Sequence, residues 1–194
     1  MIEGPPAGLA GVLEPDSPRM SPSIVIRKAL PEDLIEISRL HARVFGPGRF
    51  ARSAYRVREG KGHLSRFCLV ACIGNEIVAS IRTTEIAIGN TKGAILLGPV
   101  AVDSGHRSFG LGSKLMTAAL DAARSGGAKL VVLVGDLPYY GRFGFKAVRP
   151  GQITFPGPVD PSRILAHELE PEALAAYRGL VVAEPPQNYP ATDA

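Results

Sequence analysis

The chain has 194 residues, 45% of them hydrophobic, and a formal net charge of +4. That length suits one domain with tails, and that composition excludes disorder throughout. The charge is too mild to imply nucleic acid by itself, and no apolar run approaches the roughly 18 residues of a transmembrane helix. The N-terminus lacks the basic-then-apolar order of a signal peptide.

Residues 1–22 carry Pro5, Pro6, Pro15, Pro18 and Pro22 and are expected to form a flexible arm. The domain is expected over 23–180, followed by a loose tail over 181–194 with Pro185, Pro186 and Pro190. Ile24 to Arg27 reads as a first strand. Pro31-Glu-Asp then opens a helix, because Pro suits the first turn and acids suit the positive end of the dipole. Leu34, Ile37, His41, Val44 and Phe45 keep helical spacing until Gly46-Pro47-Gly48 stops it. A second helix is expected over about 49–59. Strands are expected at Phe67 to Ile73 and Glu76 to Ile88, joined by the tight turn Gly74-Asn75. A third follows at Ala94 to Val102, where Pro99 cannot donate a ladder hydrogen bond and should force a bulge.

Cys68 and Cys72 share the parity of one expected strand. At roughly 3.3 Å per residue they stand about 13 Å apart, too far for a disulfide. Both read as reduced core thiols, so a cytoplasmic location is expected. No Cys and His cluster has metal spacing, so no metal is expected.

A helix over 112–125 carries Leu115, Met116, Ala119, Leu120 and Ala123 on one face and ends at Gly126-Gly127. A strand at 129–134, a helical turn at 138–142 and a strand at 144–149 come next. A proline-punctuated loop, a strand at 163–169 and a short helix near 171–178 close the domain. The order predicts an α/β (α+β) fold with a mixed sheet flanked by helices.

Chemistry concentrates between Val100 and Ser113. An apolar strand runs through Arg107-Ser-Phe-Gly110-Leu-Gly112 into a helix, which gathers backbone N–H groups and a helix N-terminus at one point. Such a point binds phosphate. Gly110 and Gly112 let an anion approach the backbone, Ser113 can cap the helix, and Arg107 adds positive charge. The P-loop pattern is absent, and the dinucleotide fingerprint does not fit the Gly-x-Gly spacing. Arg107, Gly110 and Gly112 match Arg/Gln-x-x-Gly-x-Gly/Ala, the pyrophosphate loop of acyl-CoA-dependent acetyltransferases. One helix and one strand later comes Tyr140-Gly-Arg-Phe-Gly-Phe145. With that ending the chain resembles the GNAT superfamily of N-acetyltransferases, and its YhbS-type branch in particular. The specific likeness covers roughly residues 95–149.

The resemblance implies a mostly antiparallel sheet split at an acyl-CoA site, acetyl-CoA as co-substrate, and direct attack by an amine in a ternary complex. Arg107, Ser108, Phe109, Gly110, Leu111, Gly112 and Ser113 are then expected at the pyrophosphate. Val100 and Val102 are expected along the pantetheine, where the strand parts at Pro99; the alternative is an ordinary bulged edge strand. Tyr140 takes the family's place for the general acid to the CoA thiolate, or else only packs under the cofactor. Asp136 is the candidate base, or it bonds the pantetheine or caps the short helix; Glu85 is weaker still. His41, His63 and His167 read as structural or exposed, and His106 as a solvent or phosphate contact.

Residues 39–66 hold eight cations, including Arg49, Arg52, Arg56 and Lys61, against Glu59. Arg49, Arg52 and Arg56 recur at helical spacing, and their guanidinium forks suit carboxylate or phosphate. The acceptor is therefore expected to carry negative charge, with a merely solvated basic helix as the alternative. A non-catalytic acyl-CoA-binding or interaction module on the same fold stays open. So does transfer of longer acyl groups to an acidic or carrier-linked acceptor.

Overall fold

The computed structural model describes residues 23–59 and 64–185. The expected arm, Lys61, His63 and residues 186–194 of the expected tail lie outside them. The β-branched runs pair into one sheet. Strand β1 (Ile24–Lys28) lies antiparallel to β2 (Leu69–Ile73), which turns at Gly74 and Asn75 into β3 (Glu76–Ile88). Strand β4 (Thr91–Val102) returns along β3, and β5 (Leu130–Val134) joins β4 in parallel. Strands β6 (Lys146–Ala147), β7 (Ile153–Thr154), β8 (Ile164–Glu168) and β9 (Gly179–Ala183) complete it. The order is β1-β2-β3-β4-β5-β8-β6, with β9 on β3 and β7 on β9. Only β4 with β5 and β7 with β9 are parallel, so the sheet is mixed and mostly antiparallel as expected.

Helices cover both faces. Helix α1 (Leu34–Phe45) buries Ile37, Leu40 and His41 against the face that carries Cys68, Val70, Cys72 and Ala101. Cys68 and Cys72 are buried free thiols on that one side. Helix α2 (Ser53–Val57) follows a 3-10 turn at Pro47–Ala51. Helix α3 (Leu111–Ser125) lays Leu111, Leu115, Met116 and Ala119 on the other face, against Ala71, Ile81, Ile95, Val131 and Leu165. A short helix, α4 (Leu137–Tyr140), follows β5.

Three expectations need correction. The single helix over 49–59 is broken at Arg52, whose backbone is extended. The expected strand 144–149 pairs only at Lys146–Ala147. The domain does not end at 180, because Val181 to Ala183 pair with Ile86 to Ile88. Strand β2 leaves that end of β3 without a partner, and the apolar run of β9 fills it.

One irregularity shapes the rest. Ile81 pairs with Val100 but Thr83 pairs with Leu97, so Gly98 and Pro99 stand opposite Arg82 alone. That is a bulge, and Pro99 has no N–H to give a ladder. Pairing of β4 with β5 stops in step: it joins Ala94–Leu96 to Leu130–Val132 and goes no further.

Leu115 is fully buried between α3 and the sheet. Leu115→Ala should cost about 2–5 kcal/mol in urea unfolding. A cost under about 1 kcal/mol would show that this interface does not hold the fold.

Candidate active site

The gap between the parted strands is a cavity of about 410 Å3. Leu97, Gly98, Pro99 and Val100 line it from β4, Leu133 from β5, and Tyr140 from α4. Strand β3 occupies one edge of β4 here and β5 has left the other, so alternate backbone groups of residues 97–102 face the gap. Buried backbone groups of that kind require partners, and an extended ligand arm supplies them as a strand would. Val100 and Val102 are half-buried along this edge, opposite Ile81 and Ala79.

At the far end of β4 a 3-10 turn, Ser104–Phe109, leads into α3. Gly110 is the residue between them, with φ +65° and ψ 23°. A side chain there is strained, and glycine avoids the strain. Space beyond Gly110 is open, with no atom within 4 Å of where a Cβ would stand. The first N–H groups of α3 have no partner inside the helix, and the positive end of the dipole there suits an anion. Arg107 and Ser108 are exposed on this turn. Leu111 is fully buried in the core, so only its backbone can reach a ligand, and Phe109 packs partly buried against the same core. Ser113 does not cap the helix as expected. Gly110 holds the cap position, and Ser113 Oγ accepts from Arg142 Nη2 at 3.2 Å. Arg142 also lies over the Tyr139 ring, 4.2 Å from its centre. It is a cation beside the start of α3 that the motif itself does not single out, although it stands inside the Tyr-Gly-Arg-Phe-Gly-Phe block.

Tyr140 is set by packing on three sides. Its ring meets Tyr139 and Phe145 edge-on at 4.9 and 6.1 Å. Gly135 forms the third wall: a Cβ there would come within 2.2 Å of the ring. Burial first, then the Tyr139 and Asp136 neighbours, pushes the phenol above its ordinary value. Asp136 itself does not line the cavity. Its carboxylate is 71% exposed and pairs with Arg163 Nε at 3.2 Å, while its main-chain oxygen accepts from Tyr139 and Tyr140. A solvent-exposed carboxylate spent on a cation is a poor base. The carboxylate that lines the cavity is Asp160, held below its usual range by hydrogen bonds from Ser162. Glu85 pairs with Arg66 at 3.0 Å.

The three candidate acceptor arginines do not share a helical face. Arg52 lines the Tyr140 cavity, with its guanidinium 4.5 Å over Phe45. Arg49 and Arg56 line a second cavity, of about 430 Å3, between α1, α2 and β3. The extended backbone at Arg52 breaks the three-residue repeat and sends the side chains to different sides of α2. Arg58 and Arg82 also line the second cavity, as do His41 and Tyr55. His41 joins Tyr55 Oη at 2.8 Å and Ser80 Oγ at 2.9 Å. Burial, then Arg82, Arg58 and Arg49, pushes its imidazole down to about 3. It is a neutral positioning group, in line with the structural role expected of it. Neither Arg58, Arg82 nor the His41 chain carried a sequence motif; their only signal was arginine and histidine at apolar-facing positions.

A profile of the family described as acetyltransferase (GNAT) domain matches residues 25–148. The chain belongs to the GNAT acetyltransferase family. The uncharacterized N-acetyltransferase YhbS of Escherichia coli strain K12 is 27% identical over 159 residues, 81% of this chain and 95% of that protein. The crystal structure of Escherichia coli YhbS in complex with CoA has a TM-score of 0.73 at 26% identity, covering 87% of this chain and 94% of that one. A GNAT acetyltransferase from Brucella melitensis in complex with acetyl-CoA has a TM-score of 0.65 at 27% identity, covering 84% and 97%. Among the described residues no His, Cys, Asp and Glu cluster can hold a metal, and no helix is long and apolar enough to cross a membrane.

Two outcomes follow from this packing. Gly135→Ala should destabilise the protein by about 1–3 kcal/mol through overpacking. Tyr140→Ala should then rescue it, so the double variant loses less than the two singles together; strict additivity would show that the two do not touch. His41 refuses, in the native state, a proton that the unfolded chain accepts between pH 6.5 and about 3. Stability should therefore fall with pH across that window, by up to about 1.4 kcal/mol per unit from this residue. His41→Gln should flatten that slope in denaturant titrations at about pH 7 and about pH 5; an equal slope would place His41 in solvent.

Proposed function

We propose that this protein transfers an acetyl group from acetyl-CoA to a primary amine by direct attack in a ternary complex. The observation that carries the proposal is the meeting of three features: a strand gap, an anion site at its far end, and a half-buried phenol on its wall. The gap suits the pantetheine arm, along Val100 and Val102. The turn Arg107–Gly110 and the N–H groups of Leu111, Gly112 and Ser113 suit the pyrophosphate, with Arg142 beside them. Backbone N–H groups at the bulge can polarise the thioester carbonyl.

In the reaction the amine nitrogen attacks the thioester carbon. A C–N bond forms, the C–S bond breaks, and the thiolate leaves with the electron pair. Tyr140 supplies the proton to that sulfur. Its raised value keeps it protonated at neutral pH, as an acid must be. The amine enters as its ammonium form, which Asp160 attracts, and sheds one proton to water at the open side of the cavity before it attacks; the second proton leaves the nitrogen as the intermediate collapses to the amide and, through water, restores the Tyr140 hydroxyl.

Calorimetric titration with acetyl-CoA and CoA is the first test. Micromolar binding is expected, and weakening by Gly110→Val would tie it to the loop. Tyr140→Phe should lower kcat by about a hundredfold to ten-thousandfold while acetyl-CoA still binds. Undiminished turnover would remove Tyr140 from the chemistry, and no binding of either ligand would overturn the assignment.

A further inference from the structure

The cavity between α1, α2 and β3 is built around positive charge. Four guanidinium groups line it, those of Arg49, Arg56, Arg58 and Arg82, and among the described lining residues Glu59 supplies the one carboxylate. Arg58 is the decisive one. It is only 7% exposed. Its Nε donates to Thr84 Oγ1 and its Nη2 to the carbonyl of Gly98, both neutral acceptors. Its Nη1 is buried and has no hydrogen-bond partner among the described residues. Buried charges are ordinarily paired, because an ion taken out of water loses its hydration without return. Burial, and Arg82 close by, push this guanidinium down to about 9. An arginine held this way, with one buried nitrogen unpartnered among the described residues and like charges around it, is short of one anion.

The position of the cavity ties it to the reaction. Gly98 belongs to the bulge that opens the strand gap, and Arg82 is the residue opposite that bulge. Arg58 therefore touches, through one hydrogen bond, the backbone segment that lines the acetyl cavity. Helix α2 divides the two cavities: Ser53 and Ala54 line one, Tyr55 and Arg56 the other. Tyr55 is held in place by His41, and Arg49 Nη1 is braced on the carbonyl of Gly46 at 3.2 Å. Guanidinium forks recognise carboxylates and phosphates by paired hydrogen bonds, which an amine or alcohol cannot accept from them as well.

We propose that this second cavity receives a carboxylate or phosphate of the acceptor, so that the substrates of this enzyme are amines carrying an anionic group. The proposal rests on the acyltransferase assignment above and adds the substrate class to it. Arg58 and Arg82 form the floor beside the bulge, and Arg49 and Arg56 complete the charge. A free inorganic anion is the competing occupant, and matched acceptors separate the two.

The test measures thiol release from acetyl-CoA with three amines of equal chain length: an aminoalkyl phosphate, an amino carboxylic acid and an amino alcohol. The wild-type protein should favour an anionic amine over the alcohol in kcat/KM by about tenfold or more. Arg49→Gln and Arg56→Gln should each collapse that ratio, mainly through KM for the anionic amine. Both side chains lie nearer the solvent than Arg58, so these variants probe recognition without opening the interior. Inorganic phosphate should compete with the anionic amine and should shift the melting midpoint of the CoA-saturated protein, less so in the variants. Equal kcat/KM for all three amines, or a ratio that both variants preserve, would overturn the subsite while leaving acetyl transfer intact. Phosphate binding without any preference for anionic amines would assign the cavity to a free anion and overturn its role in acceptor choice. Failure of acetyl-CoA to bind the wild-type protein would defeat the acyltransferase assignment, and the acceptor subsite with it.

Discussion

The parting of β4 from β5 is the constraint on which the other features depend. A sheet gains stability by closing every ladder, and here the ladder stops after Leu96 and Val132. Pro99 gives a local cause: it has no N–H, and the bulge it shares with Gly98 turns the strand away from its neighbour. The open edge costs hydrogen bonds unless something extended completes it. On one side of the gap α3 begins, so the anion site lies at the end of the same strand. On the other side α4 presents Tyr140. A continuous β4 with β5 would leave no gap to connect these two features.

The same bulge requires support from below. Two residues opposite one leave a carbonyl, that of Gly98, turned toward the α1 and α2 face, where Arg58 takes it up. An arginine satisfies that carbonyl with one nitrogen and reaches Thr84 with another. A lysine could not hold both in a fixed plane. The brace brings a buried charge with it, and the polar residues around it follow suit: Ser80, Thr83 and Thr84 are buried in β3, and His41 is bonded between Tyr55 and Ser80. The polar layer under the bulge holds two hydrogen-bonded sets, Arg58 with Thr84 and Gly98, and His41 with Tyr55 and Ser80. A charged cavity beside the reaction chamber comes from bracing the split strand with a guanidinium.

Sequence alone reveals the parts that backbone carries. The Gly-rich turn, the apolar stripe of α3 and the Tyr140 to Phe145 block are local patterns, and the structure places them in the expected elements. Pro99 signals the bulge because its chemistry is local too. Asp136 shows the limit. Its place after β5 was correct, but only the fold reveals that Arg163, distant in the chain, takes its carboxylate. Arg52 shows another: spacing suggested one helical face, and an extended backbone at that residue sends it to a different cavity from Arg49 and Arg56. Arg58 and Arg82 could not be found at all from pattern. Arg82 sits in a strand buried along most of its length without regular alternation, and Arg58 follows a five-residue helix. Their importance arises from the burial of Arg58 and from their meeting in one cavity.

This division has a physical logic. A nucleotide-bearing thioester presents the same phosphates and amides to every enzyme that binds it, so main-chain N–H groups and one cleft suffice, and the residues around them need only be small or correctly turned. An acceptor presents its own chemistry, which side chains must match, and here those side chains come from α1, α2 and β3, over residues 41 to 82. Among them Arg58 carries a nitrogen with no hydrogen-bond partner among the described residues. A guanidinium that the fold both buries and leaves with an open donor is costly for a structural brace alone, since a neutral donor could satisfy Gly98 without the charge. The excess over what the bulge needs is what points beyond folding, to an anion arriving with the substrate.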